Sequence, residues 1–174
     1  MRDGFIKVAA VTPDIRVADC EYNAEQICKK MKEAAALGSK IIVFPELGIT
    51  GYTCSDLFRQ DILLNGAKKA LQEIVAASKG MDGLFFAGLP LEINGSREID
   101  ALVFVGLPWE WKGKLYNVAA AICHGRLLGL VPKKNLPNYS EFYEMRHFEP
   151  ANEELDYIEY PGEEEQEWIP FGMQ

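Results

Sequence analysis

Apolar residues follow two different periods along the first half of the chain. Residues 5–11 and 40–44 are short continuous apolar runs, which are typical of buried strands. Residues 21–37 and 62–77 repeat their apolar positions every three or four residues, which predicts two amphipathic helices. Gly38 follows the first of these segments as a helix stop. Strand, helix, strand and helix in this order predict an α/β fold.

The rest of the chain is predicted to consist of strands and loops. Ser55 is a candidate cap for a short helical region before the second helix. Residues 115–123 and 126–131 are two apolar runs joined by the turn sequence HG, which predicts a hairpin. Residues 132–150 combine prolines, aromatics and charges, which is more typical of a functional loop than of a spacer. The closing sequence WIPFGMQ is typical of the start of a strand.

An internal repeat lies between the second helix and the hairpin. Residues 79–96 align without gaps to residues 97–114, and eight of the 18 aligned positions are identical. Both copies contain GLP, followed at fixed spacing by glutamate and then glycine. This pattern indicates a local tandem duplication of a strand-turn unit, which is too short to be a solenoid repeat. Either copy fits the position between the helix and the hairpin.

Composition and charge limit the possible partners. With 174 residues, 48% of them apolar, the chain is long enough for one domain with a sizeable core. The net charge of −8 is concentrated in residues 149–167, which hold nine acidic residues and no basic one. We interpret this stretch as a solvated loop or tail. The chain has no basic patch with interleaved aromatics, so nucleic acid is not an expected partner.

The sequence also lacks the usual signs of a membrane or metal-binding protein. No apolar run approaches the length of a membrane span, and the N-terminus lacks a signal-peptide pattern. The four cysteines have neither CxxC nor zinc spacing, and the two histidines stand apart. We therefore expect a soluble cytoplasmic protein with reduced thiols, no metal site and no membrane partner.

Two charged residues stand just beyond predicted strands. Glu46 follows the apolar run IIVFP, and Lys133 follows LGLVP. Functional groups of open α/β sheets gather outside the carboxyl ends of the strands, where each of these charges would keep the other ionised. Such a pair suits acyl transfer, with the carboxylate as proton acceptor and the ammonium stabilising an oxyanion. From spacing alone, a structural ion pair is slightly the better interpretation.

Three longer motifs add a family resemblance that runs from Gly4 to Phe148. The segments FPELGITGY, GKLYNVAAAICHGRLLGLVPK and LPNYSEFYEMRHF resemble the nitrilase (carbon–nitrogen hydrolase) superfamily. GYTCSDLF and LPNYSEFYE resemble in particular the glutaminase domains of bacterial glutamine-dependent NAD synthetases. The resemblance implies an α-β-β-α sandwich, here incomplete at the C-terminus and carrying the duplicated unit at residues 79–114.

The resemblance also implies roles for individual residues. Glu46 matches the general base of a Glu-Lys-Cys triad, and Lys133 matches its lysine, with Lys134 a solvated neighbour. Glu141 or Glu144 matches an additional glutamate that positions the lysine or the substrate. We assign that catalytic role to Glu141 and a substrate-binding role to Glu144. The other residues expected to line the glutamine pocket are Tyr52, Tyr139 and Phe142.

One expectation follows from a departure from the family pattern. The family's nucleophilic cysteine lies in a motif resembling EICED, which this sequence does not contain. We therefore expect residues 1–174 to form the N-terminal part of a glutamine amidohydrolase domain that is inactive alone.

The resemblance implies glutamine as substrate, a synthetase domain as partner, and homo-oligomers. No cofactor is expected in this domain, since ATP and Mg belong to the absent synthetase domain. The alternatives are another nitrilase-superfamily amidase and a non-catalytic truncated or duplicated remnant.

Overall fold

A mixed sheet and two long helices form the part of the fold that the structure describes. The computed structural model describes residues 5–81, 101–140, 142–161 and 166–172. Within these residues, seven strands form one open sheet in the order β1-β2-β3-β4-β5-β7-β6, which confirms the predicted α/β class. The strands are β1 Val8–Ala10, β2 Ile41–Val43, β3 Leu102–Trp111, β4 Lys114–Cys123, β5 Arg126–Pro132, β6 Asp156–Pro161 and β7 Gln166–Phe171. The helices are α1 Cys20–Ala36 and α2 Asp61–Ala77.

Strand direction brings several loops to one edge of the sheet. β1, β2 and β3 are parallel, and the antiparallel hairpins β3–β4 and β4–β5 return β5 to the direction of β2. The carboxyl ends of β2 and β5 and the beginning of β4 therefore lie at the same edge. The predicted HG turn is confirmed, since His124 and Gly125 have φ values of 49° and 75°.

Both helices begin and end close to their predicted positions. The side chain of Asp19 accepts a hydrogen bond from the Tyr22 backbone N–H at 3.1 Å and caps α1. Gly38 adopts a φ of 83° just beyond the helix, a conformation that glycine reaches without steric cost. The apolar stripes of α1 and α2 are buried, as the amphipathic pattern predicts.

The sheet has one buried face and one accessible face. Val103, Val105 and Leu107 of β3 are fully buried in the core formed with the helices. Each such side chain contributes roughly 1.5–3 kcal/mol on burial. The opposite face carries exposed apolar residues, including Val43, which is 43% exposed, and Val131, which is 44% exposed. Alternate side chains of the strands therefore face either the core or an accessible apolar surface.

Three local predictions are wrong. The acidic stretch is not only a loop, because it contains β6, in which Ile158 and Tyr160 point inward while Glu159 faces solvent. Its high charge hid a period-2 pattern that is ordinary for a half-buried strand. Ser55 is the first residue of a 3-10 helix with no side-chain cap, and Cys54 occupies the cap position. WIPFGMQ contains the end of β7 and not the start of a strand.

The second copy of the repeat supplies a strand of the sheet. Residues 102–111 form β3, which pairs with β2 on one side and β4 on the other. Residues 82–100, which hold most of the first copy, lie outside the described residues. The second copy therefore occupies the position that connects the parallel and antiparallel parts of the sheet.

Candidate active site

A tight turn after β2 carries Glu46. The Gly48 N–H donates to the Pro45 carbonyl at 3.2 Å, and the Gly51 N–H donates to the Leu47 carbonyl at 2.7 Å. Leu47 is fully buried and has a φ of 50°, which is unusual for a residue with a branched side chain. Burial of the leucine side chain anchors the turn and fixes the direction in which the adjacent carboxylate projects.

Gly106 lets this turn lie directly on β3. The Ile49 N–H donates to the Gly106 carbonyl at 3.2 Å. A Cβ atom at Gly106 would lie 2.5 Å from the Leu47 nitrogen and 2.9 Å from the Glu46 Cα. Only glycine permits this backbone contact. The close approach carries Glu46 from the end of β2 across β3 toward β4 and β5.

Lys133 reaches the same place from the end of β5. Its Nζ lies 2.6 Å from Glu46 Oε1 and 2.9 Å from Glu144 Oε2. The Lys133 backbone is held at both ends, because its N–H donates to the Asn117 carbonyl at 2.8 Å and its carbonyl accepts from Ala151 at 3.0 Å. The two charged residues that the sequence placed after different strands therefore form an ion pair.

Glu144 is the most buried charged residue of the site. It begins the short 3-10 helix Glu144–Arg146 and is 4% exposed. Its carboxylate accepts hydrogen bonds from Lys133 Nζ at 2.9 and 3.0 Å and from the Tyr52 hydroxyl at 2.8 Å. A carboxylate at this depth needs such partners because desolvation is costly. Glu141, the alternative candidate, lies outside the described residues.

Two carboxylates therefore surround one ammonium group. Burial lowers the pKa of Lys133, but hydrogen bonds and charge contacts with Glu46 and Glu144 outweigh burial and hold this pKa above its ordinary value of 10.5. Lys133 is consequently a fixed positive charge at neutral pH. It is suited to stabilising negative charge and unsuited to accepting a proton.

The predicted aromatic residues lie next to this cluster. The rings of Tyr139 and Phe142 are 5.5 Å apart, and those of Tyr52 and Phe142 are 6.4 Å apart, both edge to face. Tyr139 is 68% exposed and Tyr52 is partly buried. The structure thus brings together the three aromatics assigned to substrate binding, although the Tyr52 hydroxyl also contacts Glu144.

An open groove of about 540 Å³ runs along the accessible face of the sheet beside the charged cluster. Glu46 and Lys133 line it together with Val43, Phe104 and Val131. Lys134 also lines the groove, but its ammonium pairs with Glu153 at 2.8 Å and both side chains are well exposed. The groove gives small molecules access to the Glu46 carboxylate.

The cysteines are poorly suited to act as nucleophiles at this cluster. Cys54 is 2% exposed and donates to the carbonyls of Thr50 and Gly51. Burial raises the pKa values of the Cys54 and Cys28 thiols and raises that of Cys20 to about 11. Cys123 is buried six residues along β4 from Asn117, roughly 20 Å away at the rise of an extended strand.

Asn117 and Gly106 are two residues of the site whose roles sequence reasoning missed. Asn117 is 3% exposed on β4, and its side-chain amide donates to Glu46 Oε1. An asparagine within the apolar run LYNVAAAIC was a visible signal, since buried polar groups need partners. In the sequence, Gly106 stands out only as part of the repeated GLP.

Among the described residues, no group of three or more His, Cys, Asp or Glu side chains is arranged to hold a metal ion. None of the helices described is long and apolar enough to cross a membrane.

The sheet order and the two helices define a mixed α/β domain in which Glu46 and Lys133 meet beside the sheet. The sequence profile of the carbon-nitrogen hydrolase family matches residues 7–170, and the chain belongs to this family. A glutamine-dependent NAD(+) synthetase from Mycobacterium leprae is 32% identical over 151 residues, covering 87% of this chain and 20% of that protein. One from Aquifex aeolicus is 36% identical over 164 residues, covering 91% of this chain and 25% of that protein.

Solved structures agree with this assignment. A glutamine-dependent NAD(+) synthetase from Cytophaga hutchinsonii superposes with a TM-score of 0.75 at 26% identity, covering 96% of this chain and 25% of that chain. An amidase from Nesterenkonia sp. superposes with a TM-score of 0.63 at 19% identity, covering 92% of this chain and 53% of that chain, and supports the fold alone. The chain thus spans about a fifth to a quarter of the synthetases it matches.

Proposed function

We propose that this domain contributes the base and the cationic group for hydrolysis of the side-chain amide of glutamine. The observation that carries the proposal is the contact of 2.6 Å between Lys133 Nζ and Glu46 Oε1 beside an open groove. A structural ion pair alone does not require a carboxylate that is 40% exposed toward such a groove. The similarity to glutamine-dependent NAD(+) synthetases supports glutamine as the amide.

In the proposed chemistry, Glu46 accepts the proton of a cysteine thiol. The sulfur attacks the amide carbon of glutamine, and the ammonium of Lys133 stabilises the resulting oxyanion. The carbon–nitrogen bond then breaks as Glu46 returns the proton to the leaving nitrogen, which departs as ammonia. Water hydrolyses the remaining thioester to glutamate and restores the thiol.

The other predicted residues support this chemistry. Glu144 holds Lys133 through two hydrogen bonds of 2.9 and 3.0 Å, so we propose that it positions the ammonium. The rings of Tyr52, Tyr139 and Phe142 form the proposed wall for the glutamine substrate. A catalytic role for Glu141 stays a prediction.

The wider role of the domain is also a proposal. Ammonia released here would amidate deamido-NAD in a synthetase domain that uses ATP and Mg, as the family resemblance implies. The relatives are named glutamine-dependent NAD(+) synthetases, which supports this role. On this proposal the glutaminase domain itself requires no cofactor, works in the cytoplasm, and assembles into homo-oligomers. The proposed partners are therefore glutamine, the synthetase domain and further copies of the chain.

We expect the purified 174-residue polypeptide to release no ammonia from L-glutamine. The burial of the thiols is the reason, because Cys54 is 2% exposed and burial raises the pKa values of Cys20, Cys28 and Cys54. A coupled glutamate dehydrogenase assay checks this, with a glutamine-dependent NAD(+) synthetase as the positive control. If the polypeptide released ammonia and the Glu46→Gln variant did not, one of these thiols would be able to act as the nucleophile. The same result would support Glu46 as the base.

A further inference from the structure

Asn117 lies where the three charged residues of the site converge. Its side-chain nitrogen donates to Glu46 Oε1 and lies 3.5 Å from Glu144 Oε2. Its backbone carbonyl accepts from the Lys133 N–H at 2.8 Å. The residue is 3% exposed on β4, so its position is fixed by the strand and by packing. One side chain therefore connects both carboxylates, while its own backbone holds the lysine.

The chemistry of the neighbours fixes which end of the amide faces them. An ionised carboxylate offers only acceptors, and a primary amide offers two N–H donors on one side and an oxygen on the other. Turning the amide would place its oxygen against Glu46 and Glu144 and lose both interactions. The nitrogen must therefore face the two carboxylates.

Charge explains why a neutral donor suits this position. Glu46 and Glu144 carry two negative charges, and Lys133 supplies one positive charge. An additional cation would neutralise the cluster and weaken Glu46 as a proton acceptor. An amide adds hydrogen bonds to the carboxylates and leaves the net charge unchanged.

The two oxygens of Glu46 differ in their contacts. Lys133 and Asn117 both donate to Oε1. Within the described part of the chain, no hydrogen bond to Oε2 of this carboxylate accompanies those to Oε1. The Glu46 side chain is 40% exposed, so Oε2 remains accessible while Oε1 is held. A carboxylate anchored by one oxygen presents the other in a defined direction.

We propose that Asn117 is a positioning residue that anchors Glu46 through Oε1 and thereby assigns proton transfer to Oε2. This inference rests on the proposed function for its chemical meaning, but the anchoring itself is independent of glutamine hydrolysis. Without Asn117, the partly exposed Glu46 side chain loses the buried donor that keeps it beside Lys133. Glu144, which is held by Tyr52 and Lys133, keeps its place.

Side-chain NMR on the 174-residue protein tests the contacts without altering Asn117. We expect Glu46→Gln and Glu144→Gln each to shift a different proton of the Asn117 side-chain NH₂, while the amide of exposed Asn152 stays unchanged. The anchoring is overturned if Glu46→Gln leaves both Asn117 protons unmoved. Because no activity is measured, this outcome is distinct from a failure of the glutaminase proposal.

A second measurement tests positioning as opposed to general structural support. The Lys133 side-chain signal is recorded with and without Glu46→Gln, first in the wild-type background and then in Asn117→Leu. We expect the Glu46-dependent shift of Lys133 to be lost in Asn117→Leu, while its response to Glu144→Gln is retained. The proposal is overturned if Glu46→Gln shifts the Lys133 signal as much in the Asn117→Leu background as in the wild type. If Asn117→Leu does not fold, the measurement on the unaltered Asn117 amide still decides the question.

Discussion

Replacing Gly106 by alanine is expected to lower the free energy of unfolding by about 3 kcal/mol, since overpacking against rigid neighbours costs this much. The added Cβ would lie 2.5 Å from the Leu47 nitrogen and 2.9 Å from both the Glu46 Cα and the Pro45 carbonyl oxygen. All three are backbone atoms of one hydrogen-bonded turn, so no rotamer change relieves the clash. The turn must move away from β3 and take Glu46 away from Lys133.

Gly66→Ala is the matched control for this variant. Gly66 lies within α2, where an added Cβ would make ordinary contacts of 3.6 and 3.7 Å with Cys20. Alanine in a helix interior is expected to be neutral or to stabilise by about 0.5–1 kcal/mol. Urea unfolding of both variants makes the comparison. Equal stability of the Gly106 and Gly66 variants would show that the turn does not lie on β3 as described.

Replacing Lys133 by methionine is expected to lower the free energy of unfolding by about 2 kcal/mol. Removing one partner of a buried ion pair costs about 3–5 kcal/mol, and partial exposure of the lysine reduces that cost. The variant leaves Glu144, which is 4% exposed, without its only cationic partner in the described structure. Urea unfolding at pH 7 measures the loss.

Lys134→Met provides the control for charge and side-chain length at the neighbouring position. Lys134 pairs with Glu153 at the surface, so its replacement is expected to change stability by less than about 1 kcal/mol. Adding Glu144→Leu to Lys133→Met is expected to recover part of the loss, because no unpaired charge is then buried. Equal effects of the Lys133 and Lys134 variants would contradict the buried cluster.

The pH dependence of this difference follows from the raised pKa of Lys133. A group whose pKa is higher in the folded than in the unfolded state stabilises the fold fully below its unfolded pKa. That contribution is lost as pH rises through the higher folded pKa. The stability difference between wild type and Lys133→Met should therefore be constant from pH 7 to 10 and decline above 10.5.

Local patterns in the sequence were sufficient for much of the framework. Helix α1, the glycine that ends it and the HG turn between β4 and β5 are each encoded by residues that are adjacent in the sequence. Such local features can be predicted without knowledge of long-range packing. The positions of Glu46 and Lys133 after apolar runs pointed to one sheet edge, because parallel strands end together. Their contact at 2.6 Å follows from strand direction, because the hairpins β3–β4 and β4–β5 return β5 to the direction of β2.

Long-range packing determined what the sequence did not reveal. The contact of Asn117 with Glu46 joins residues that are 71 positions apart, and no local period encodes it. The need for glycine at position 106 arises only when the Glu46 turn lies on β3. The sequence could not show which glutamate contacts Lys133, because that contact depends on long-range packing. Glu144 makes this contact, and Glu141 lies outside the described residues.

We infer that Lys133, Glu46 and Glu144 form one charged cluster in solution. The most direct measurement is a pH titration of the Lys133 ¹³Cε signal in the 174-residue protein, repeated in Glu46→Gln with Glu144→Gln. We expect a titration midpoint above pH 10.5 in the wild type and a lower midpoint in the double variant, where burial acts alone. A wild-type midpoint at or below pH 10.5 that does not change in the double variant would show that the three residues do not form this cluster.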